Sequence, residues 1–418
     1  MTPSPLFESL ELPNGTVLEN RLAKAAMEES LAEYGQLPGP RLLTLYRRWA
    51  DGGAGLLITG NVMIAPDALS GPASVVLQAN TDLGPFKKWA EAGRSKGAQF
   101  WMQINHPGRQ VLAALGEDAV SASDVSVDIP GMSQNFRKPR ALTEDEILSL
   151  VHRFAATAER AEAAGFTGVQ IHAAHGYLIN QFLSPLTNRR TDRWGGSLEN
   201  RARFLFDTIH AVRSRVSSRF CVSVKLNSAD FQKGGFDMSD AKWVVDRLGE
   251  MSVDLVELSG GSYESPAMQG RDSDGSSTAR REAYFVEFAR EVAQTAKMPI
   301  MVTGGIRSRD VAEEAIRNQT GGIGVSVLGL ARAMAFEPDV IANWRSGKEL
   351  RVDIPEVHWK NKRVAGFASM VLAYVQLERL SLGKPPNKGG LPFLALIGNQ
   401  MKTRKRTRAY RKWRENQA

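Results

Sequence analysis

Short apolar runs that end in Gly, Ser, Thr or Asn alternate along this chain with longer stretches of helical periodicity. The runs at 22–26, 55–59, 99–104, 168–171, 221–226, 255–258, 300–302 and 324–327 predict eight strands. Amphipathic stretches at 41–50, 81–95, 143–164, 198–216, 238–251, 283–296 and 309–317 predict the helices between them. Thr143-Glu144-Asp145-Glu146 has the form of a capping box, and Ser239 and Ser308 are candidate caps for the helices that follow them. Eight strands, each usually followed by a helix, predict an α/β fold of the (β/α)₈ barrel type rather than an open sheet. No G-x-G-x-x-G follows an early strand, which argues against a doubly wound dinucleotide fold. Two excursions after strands, 107–142 and 176–196, are too long for plain loops and fall on the carboxyl face, where barrels carry their chemistry.

The alternation stops after Pro338, and two units are expected: a barrel over 1–345 and an extension over 346–418. In the extension, 364–380 has helical spacing, with Phe367, Met370, Val371, Tyr374 and Leu377 on one side to pack on the barrel or another subunit. A Pro/Gly-rich break at 383–390, an apolar run at 391–397 and a basic tail follow.

Charge sharpens the picture of that tail. The net charge is +8, but eight cations against Glu415 between Lys402 and Glu415 account for +7. About +1 is left for the rest of the chain, so the barrel itself is not a polyanion-binding surface. The tail residues 402–415 could touch nucleic acid or an acidic membrane, but a solvated helix end or a subunit contact is the favoured reading. The single cysteine, Cys221, lies in an apolar strand and is expected to be a small buried hydrophobe. One thiol cannot build a disulfide, a Cys-rich zinc module or a protein-held iron–sulfur cluster. With no signal peptide and no apolar run of about 18 residues, a cytoplasmic protein is expected.

The candidate chemistry sits in HAAHGYLINQFLSPLTNRRTDRWGG, residues 172–196. His172 and His175 follow a strand, and Tyr177 stands two places on. A metal pair is disfavoured, because two alanines separate the histidines and no carboxylate appears before Asp192. Two imidazoles can instead converge as N–H donors on one oxygen while negative charge develops there. Tyr177 then offers a proton to a nearby carbanion. A carbonyl clamp with a proton donor suits reduction of an activated C=C bond, and the missing hydride implies a cofactor.

The segment 172–204 closely resembles the signature of the Old Yellow Enzyme family of flavin-dependent ene-reductases. Agreement includes Asn180, Phe182 to Pro185, Asn188, Arg190 to Asp192, Gly195-Gly196-Ser197 and Glu199-Asn200-Arg201. It extends through Asn20-Arg21, His106, Gly108-Arg109, Pro139 to Thr143, Gly304-Gly305 and Gly329 to Arg332, over about 5–345. The resemblance implies a barrel with one non-covalent FMN, NADH or NADPH as hydride donor, a small-molecule substrate and a homo-oligomer. It implies that His172 and His175 hold the substrate's oxygen and that Tyr177 protonates Cα. Ala25, Ala26, Met27, Asn61 and Gln103 match positions along the flavin ring. Gly304, Gly305, Ala331 and Arg332 match the phosphate loops.

Two positions depart from the family pattern. Lys225 stands where most relatives carry Arg near flavin N1 and O2, keeping the charge without the planar fork. Glu28 stands where Thr or Cys donates toward flavin O4, so it is expected to be protonated or turned away, with the flavin harder to reduce. A dehydrogenase, demethylase or desaturase on the same scaffold remains open as the alternative.

Overall fold

The computed structural model describes residues 4–264, 278–317, 324–348 and 351–417. Eight parallel strands close on themselves: β1 Leu22–Lys24, β2 Leu56–Ile58, β3 Gln99–Asn105, β4 Gly168–Ala173, β5 Cys221–Asn227, β6 Leu255–Ser259, β7 Ile300–Thr303 and β8 Val325–Leu330. Each pairs with the next, and β8 pairs with β1. The predicted strands are all present, shifted at their ends by a few residues. Ala25 and Ala26 lie just beyond β1 rather than within it.

Helices pack around the barrel: α1 Pro40–Asp51, α2 Gly84–Arg94, α3 Glu144–Ala163, α4 Leu198–Arg213, α5 Met238–Leu248, α6 Thr278–Ala293 and α7 Arg309–Arg317, with the short helices Arg332–Phe336 and Val340–Ser346 after β8. The capping box at α3 is complete, with Thr143 and Glu146 each bonding the other's backbone N–H. At α5 the cap is Asp237, not Ser239: its carboxylate accepts from the Ser239 and Asp240 amides. A carboxylate can serve two N–H groups at once and favours the helix's positive end, so it takes the place from serine.

The core has two parts, as strand alternation requires. Inside the barrel lie Ala23, Ala25, Leu56, Ile58, Trp101, Cys221, Leu255, Met301 and Val327. Leu12 and Leu18, from the hairpin Leu10–Glu11/Val17–Leu18, pack onto this plug. Cys221 is fully buried, and burial pushes its thiol up to about 11. The larger cluster fills the layer between strands and helices.

The extension folds back on the barrel. Helix α8, Lys362–Ser381, packs on α1, and α9, Pro392–Glu415, reaches across to the carboxyl face. Of the expected face of α8, Val371 and Leu377 are buried and Tyr374 packs on the core, whereas Phe367 and Met370 face solvent, contrary to the sequence expectation. Ala365 and Ala368 are buried as well and let α8 sit close to its neighbours. The basic tail is the second half of α9, continuous with the apolar run before it. Its hold on the barrel is Tyr410, 1% exposed, whose hydroxyl donates to the Pro66 carbonyl at 2.8 Å and lies 2.8 Å from Glu117 Oε1. Arg414 adds an ion pair to Glu117.

Tyr410→Ala should therefore free the end of α9, at a cost of roughly 3 kcal/mol for an emptied aromatic site. Hydrogen exchange over 402–415 should accelerate while α8 stays protected; unchanged exchange would show that Tyr410 is not the anchor.

Candidate active site

The chain leaving β4 is turned sharply over the barrel mouth by His175 and Gly176, both with positive φ, 59° and 75°. A histidine rarely adopts this conformation, so the surroundings must hold it there. They do so through the backbone. Asn227 Oδ1 accepts from His175 N at 3.1 Å, Gln110 Nε2 donates to His175 O at 2.9 Å, and Asn180 Oδ1 accepts from Gly176 N at 2.7 Å. The short helix Leu178–Leu183 then begins, with Tyr177 at its N-terminal edge.

This turn gathers the three predicted rings. His172 and His175 meet edge to face at 5.2 Å between centroids, and His172 meets Tyr177 at 4.8 Å. His172 Nδ1 accepts from the Ala174 amide at 3.3 Å, which places its proton on Nε2. His175 Nε2 shares a hydrogen bond of 2.8 Å with Ser259 Oγ. When Ser259 donates, the His175 proton sits on Nδ1. Burial, aided by the Lys225 charge, lowers both imidazoles, His175 to about 3, so both are neutral N–H donors near pH 7. Among the described residues no group of three His, Cys, Asp or Glu side chains could hold a metal.

Glu28 reaches the same cluster from the segment after β1. Its Oε2 accepts from Asn61 Nδ2 and from Ser70 Oγ, both at 3.1 Å. Asn61 Nδ2 also donates to the Tyr177 hydroxyl at 3.3 Å, and that hydroxyl lies 2.8 Å from the Tyr263 hydroxyl. Burial, then the neighbouring Glu29 charge, pushes the Glu28 carboxyl up to about 7. Glu29 is locked behind it by the Tyr46 hydroxyl and by Gly60 N at 2.9 Å, with Lys24 Nζ at 3.6 Å. A Cβ on Gly60 would stand 2.2 Å from Glu29 Oε2, so this approach needs glycine.

The raised carboxyl has a stability consequence. Glu28 holds its proton more tightly in the folded state, so stability falls as pH rises from about 4.5 to about 7 and is flat above. Glu28→Gln removes that cost. In flavin-free protein its stabilisation relative to wild type should be larger at pH 8 than at pH 5; equal gains by denaturant unfolding would contradict a buried carboxyl.

Below the rings a polar layer crosses the barrel. Gln103 Nε2 donates to Gln170 Oε1 at 2.7 Å, Gln170 Nε2 donates to Glu257 Oε2 at 2.8 Å, and Lys225 Nζ pairs with Glu257 Oε1 at 2.8 Å. Lys225 and Glu257 are both buried. The cation expected at 225 is thus opposed by an acid that the strand Leu255–Ser259 carries in an otherwise apolar run. That lone buried acid was the signal for Glu257. Tyr263, Ser70 and Ser259 had none, since their partners are distant in sequence.

Gly304-Gly305 and Ala331-Arg332 follow the paired strands β7 and β8, across the mouth from β4. At the end of β7 the buried Thr303 Oγ1 has no hydrogen-bond partner, and near β2 neither has Asn61 Oδ1. Buried polar atoms without partners at both ends of one mouth suit a polar group lying between them. Ala25 is buried and Met27 packs on the core, so neither reaches into the ring cluster as a polar contact.

Comparison with known proteins agrees with this architecture. The sequence model of the NADH:flavin oxidoreductase / NADH oxidase family matches residues 5–351. The NADH-dependent flavin oxidoreductase iliE of Hypocrea jecorina is 37% identical over 350 residues, covering 78% of this chain and 84% of its own. The probable NADH-dependent flavin oxidoreductase YqiG of Bacillus subtilis is 31% identical, covering 84% and 90%. Among solved structures, morphinone reductase in complex with tetrahydroNAD superposes with a TM-score of 0.67 at 25% identity, over 83% of this chain and 92% of its own. An old yellow enzyme homologue from Zymomonas mobilis gives 0.70 at 23%, over 84% and 95%, a likeness of fold.

Proposed function

Because the chain belongs to the NADH:flavin oxidoreductase / NADH oxidase family, we propose that it is an FMN enzyme that uses NADH to reduce an activated C=C bond. The observation that carries this reading is the cluster of two neutral histidines and a tyrosine over the polar layer of Gln103, Gln170, Glu257 and Lys225.

The residues fit a flavin mononucleotide. Gly304, Gly305, Ala331 and Arg332 would hold its phosphate, at the strand ends where barrels place one. Thr303, with a hydroxyl lacking a protein partner, would join them. Ala25, Ala26, Met27, Asn61, Gln103 and Lys225 would line the ring. When bound, FMN supplies the hydride, taken from NADH and delivered to the substrate carbon.

The protein's own groups do the rest. His172 Nε2–H and the His175 N–H bind the carbonyl oxygen and stabilise the charge that grows on it as Cβ is reduced. Tyr177 donates its proton to Cα. Neutral imidazoles suit this task, since they donate without carrying a permanent cation beside the bound ring. The His175–Asn227 and Gln110–His175 bonds fix the clamp, so little reorganisation is needed during reaction.

Purified protein should be yellow, release FMN on denaturation, bleach anaerobically with NADH and regain colour with an enone. Bleaching by a saturated ketone or an N-methyl substrate, without reoxidation by enones, would instead support dehydrogenation or demethylation. Glu28 tunes the same site: its carboxylate form would disfavour a reduced, anionic ring nearby. Glu28→Thr should raise the flavin midpoint potential, and an unchanged potential would show that Glu28 does not act on it.

A further inference from the structure

Tyr263 has no counterpart in the chemistry described so far, yet its hydroxyl is 2.8 Å from that of Tyr177. The loop after β6 is fixed on both sides of it. Ser262 pairs through the backbone with His175, and its hydroxyl accepts from Glu264 N at 3.3 Å. Glu264 forms an ion pair with Arg109 and accepts from Asp128 N at 2.6 Å. Tyr263 is therefore set between the histidine turn and the excursion over 107–142, with its ring 6.0 Å from Tyr177 and 6.4 Å from Phe136.

We propose that Tyr263 is a second catalytic residue, a phenol that passes a proton to the Tyr177 oxygen as Tyr177 gives its own to substrate. This rests on the reading of Tyr177 as the acid. The balance is simple. The Tyr177 O–H bond breaks, and its proton joins Cα using the electron pair released by the enolate. A phenolate is left on a buried oxygen, where charge is costly. The Tyr263 O–H then breaks, its proton moves 2.8 Å to Tyr177, and water at the pocket mouth restores Tyr263. Tyr263 is half-buried whereas Tyr177 is 5% exposed, so the outer phenol is the one in reach of solvent.

Two further features fit the transfer. Burial raises both phenols, so a phenolate left on Tyr177 is strongly basic and draws a proton from the hydroxyl beside it. Asn61 Nδ2 donates to the same oxygen at 3.3 Å, and its other hydrogen is held by Glu28. Asn61 can stabilise the phenolate but carries no proton that it can give up. Tyr263 can do both.

The test is rapid-mixing kinetics of FMN-loaded Tyr263→Phe, Tyr177→Phe and the double variant. Each is reduced by NADH, then oxidised either by an enone or by ferricyanide, which needs no proton at carbon. Tyr263→Phe should slow the enone step on the order of 10²-fold. It should leave NADH reduction and ferricyanide oxidation unchanged and add nothing in the Tyr177→Phe background. Tyr263→His, which restores a proton-carrying group, should recover part of the rate. If Tyr177→Phe slows the enone step but Tyr263→Phe does not, the relay is wrong and the Tyr177 reading stands. If Tyr177→Phe itself has no effect, that reading fails and the relay with it. Equal slowing with ferricyanide, or in the Tyr177→Phe background, assigns Tyr263 a structural role and overturns the proposal.

Discussion

Tyr177→Phe should retain NADH-driven flavin reduction within about twofold and slow reoxidation by an enone by roughly 10²–10⁴-fold, the usual worth of a positioned acid. The change removes one hydroxyl and keeps the ring. The edge-to-face contact with His172 at 4.8 Å survives, and so does the packing of Tyr177 at the start of the short helix. What is lost is the proton at Cα and the bonds to Asn61 and Tyr263. Reduction by NADH moves a hydride and asks for no proton from this phenol, so the two half-reactions separate the acid from a general packing effect. Loss in both half-reactions would assign Tyr177 to binding, and loss in neither would remove it from the chemistry.

Sequence reading went furthest where one local pattern decides the outcome. The eight strands and their helices follow from apolar runs bounded by turn residues, and the Thr143 to Glu146 box from four adjacent side chains. The ring cluster was legible because His172, His175 and Tyr177 share one turn. Much of the motif around them serves that turn. Asn180 holds Gly176 N, and Asn188 Nδ2 bonds the Phe182 and Trp194 carbonyls, each at 2.8 Å. Arg190 donates to the Leu142 carbonyl at 2.7 Å and so ties the two excursions together.

The illegible parts depend on contacts between distant strands. Glu28 meets Ser70 and Asn61 only after β1 and β2 are paired, and Tyr263 meets Tyr177 across 86 positions. The partner of Lys225 was not legible, because Glu257 lies on the next strand. In the extension, helical spacing was read correctly at 364–380, and Val371, Tyr374 and Leu377 of the expected face pack inward, but Phe367 and Met370 do not. Periodicity shows that one side is apolar, and the buried Ala365 and Ala368 shift the edge of the packed face away from those two side chains.

His172→Ala combined with His175→Gly should abolish the long-wavelength bands of phenol complexes and slow enone reduction by roughly 10³-fold, since one lost oxyanion donor alone costs 10²–10³. Glycine is the better choice at 175, because it accepts the left-handed backbone at φ 59° that would strain alanine and leaves no side-chain donor behind. Retained phenol bands would mean that the oxygen is held elsewhere. The same variant has a second signature in the flavin-free protein. His172 is buried and His175 half-buried, both as neutral rings, with folded pKa values below the usual 6.5 and that of His175 near 3. The unfolded chain therefore takes up protons first as pH falls. Stability contributed by the neutral rings is complete above about pH 6.5 and is lost progressively toward pH 3. Removing both histidines should flatten the acid limb of unfolding free energy against pH over that window. An unchanged slope would mean that the rings meet water in the folded state, and with water beside them they could not clamp an oxygen at a dry reaction centre.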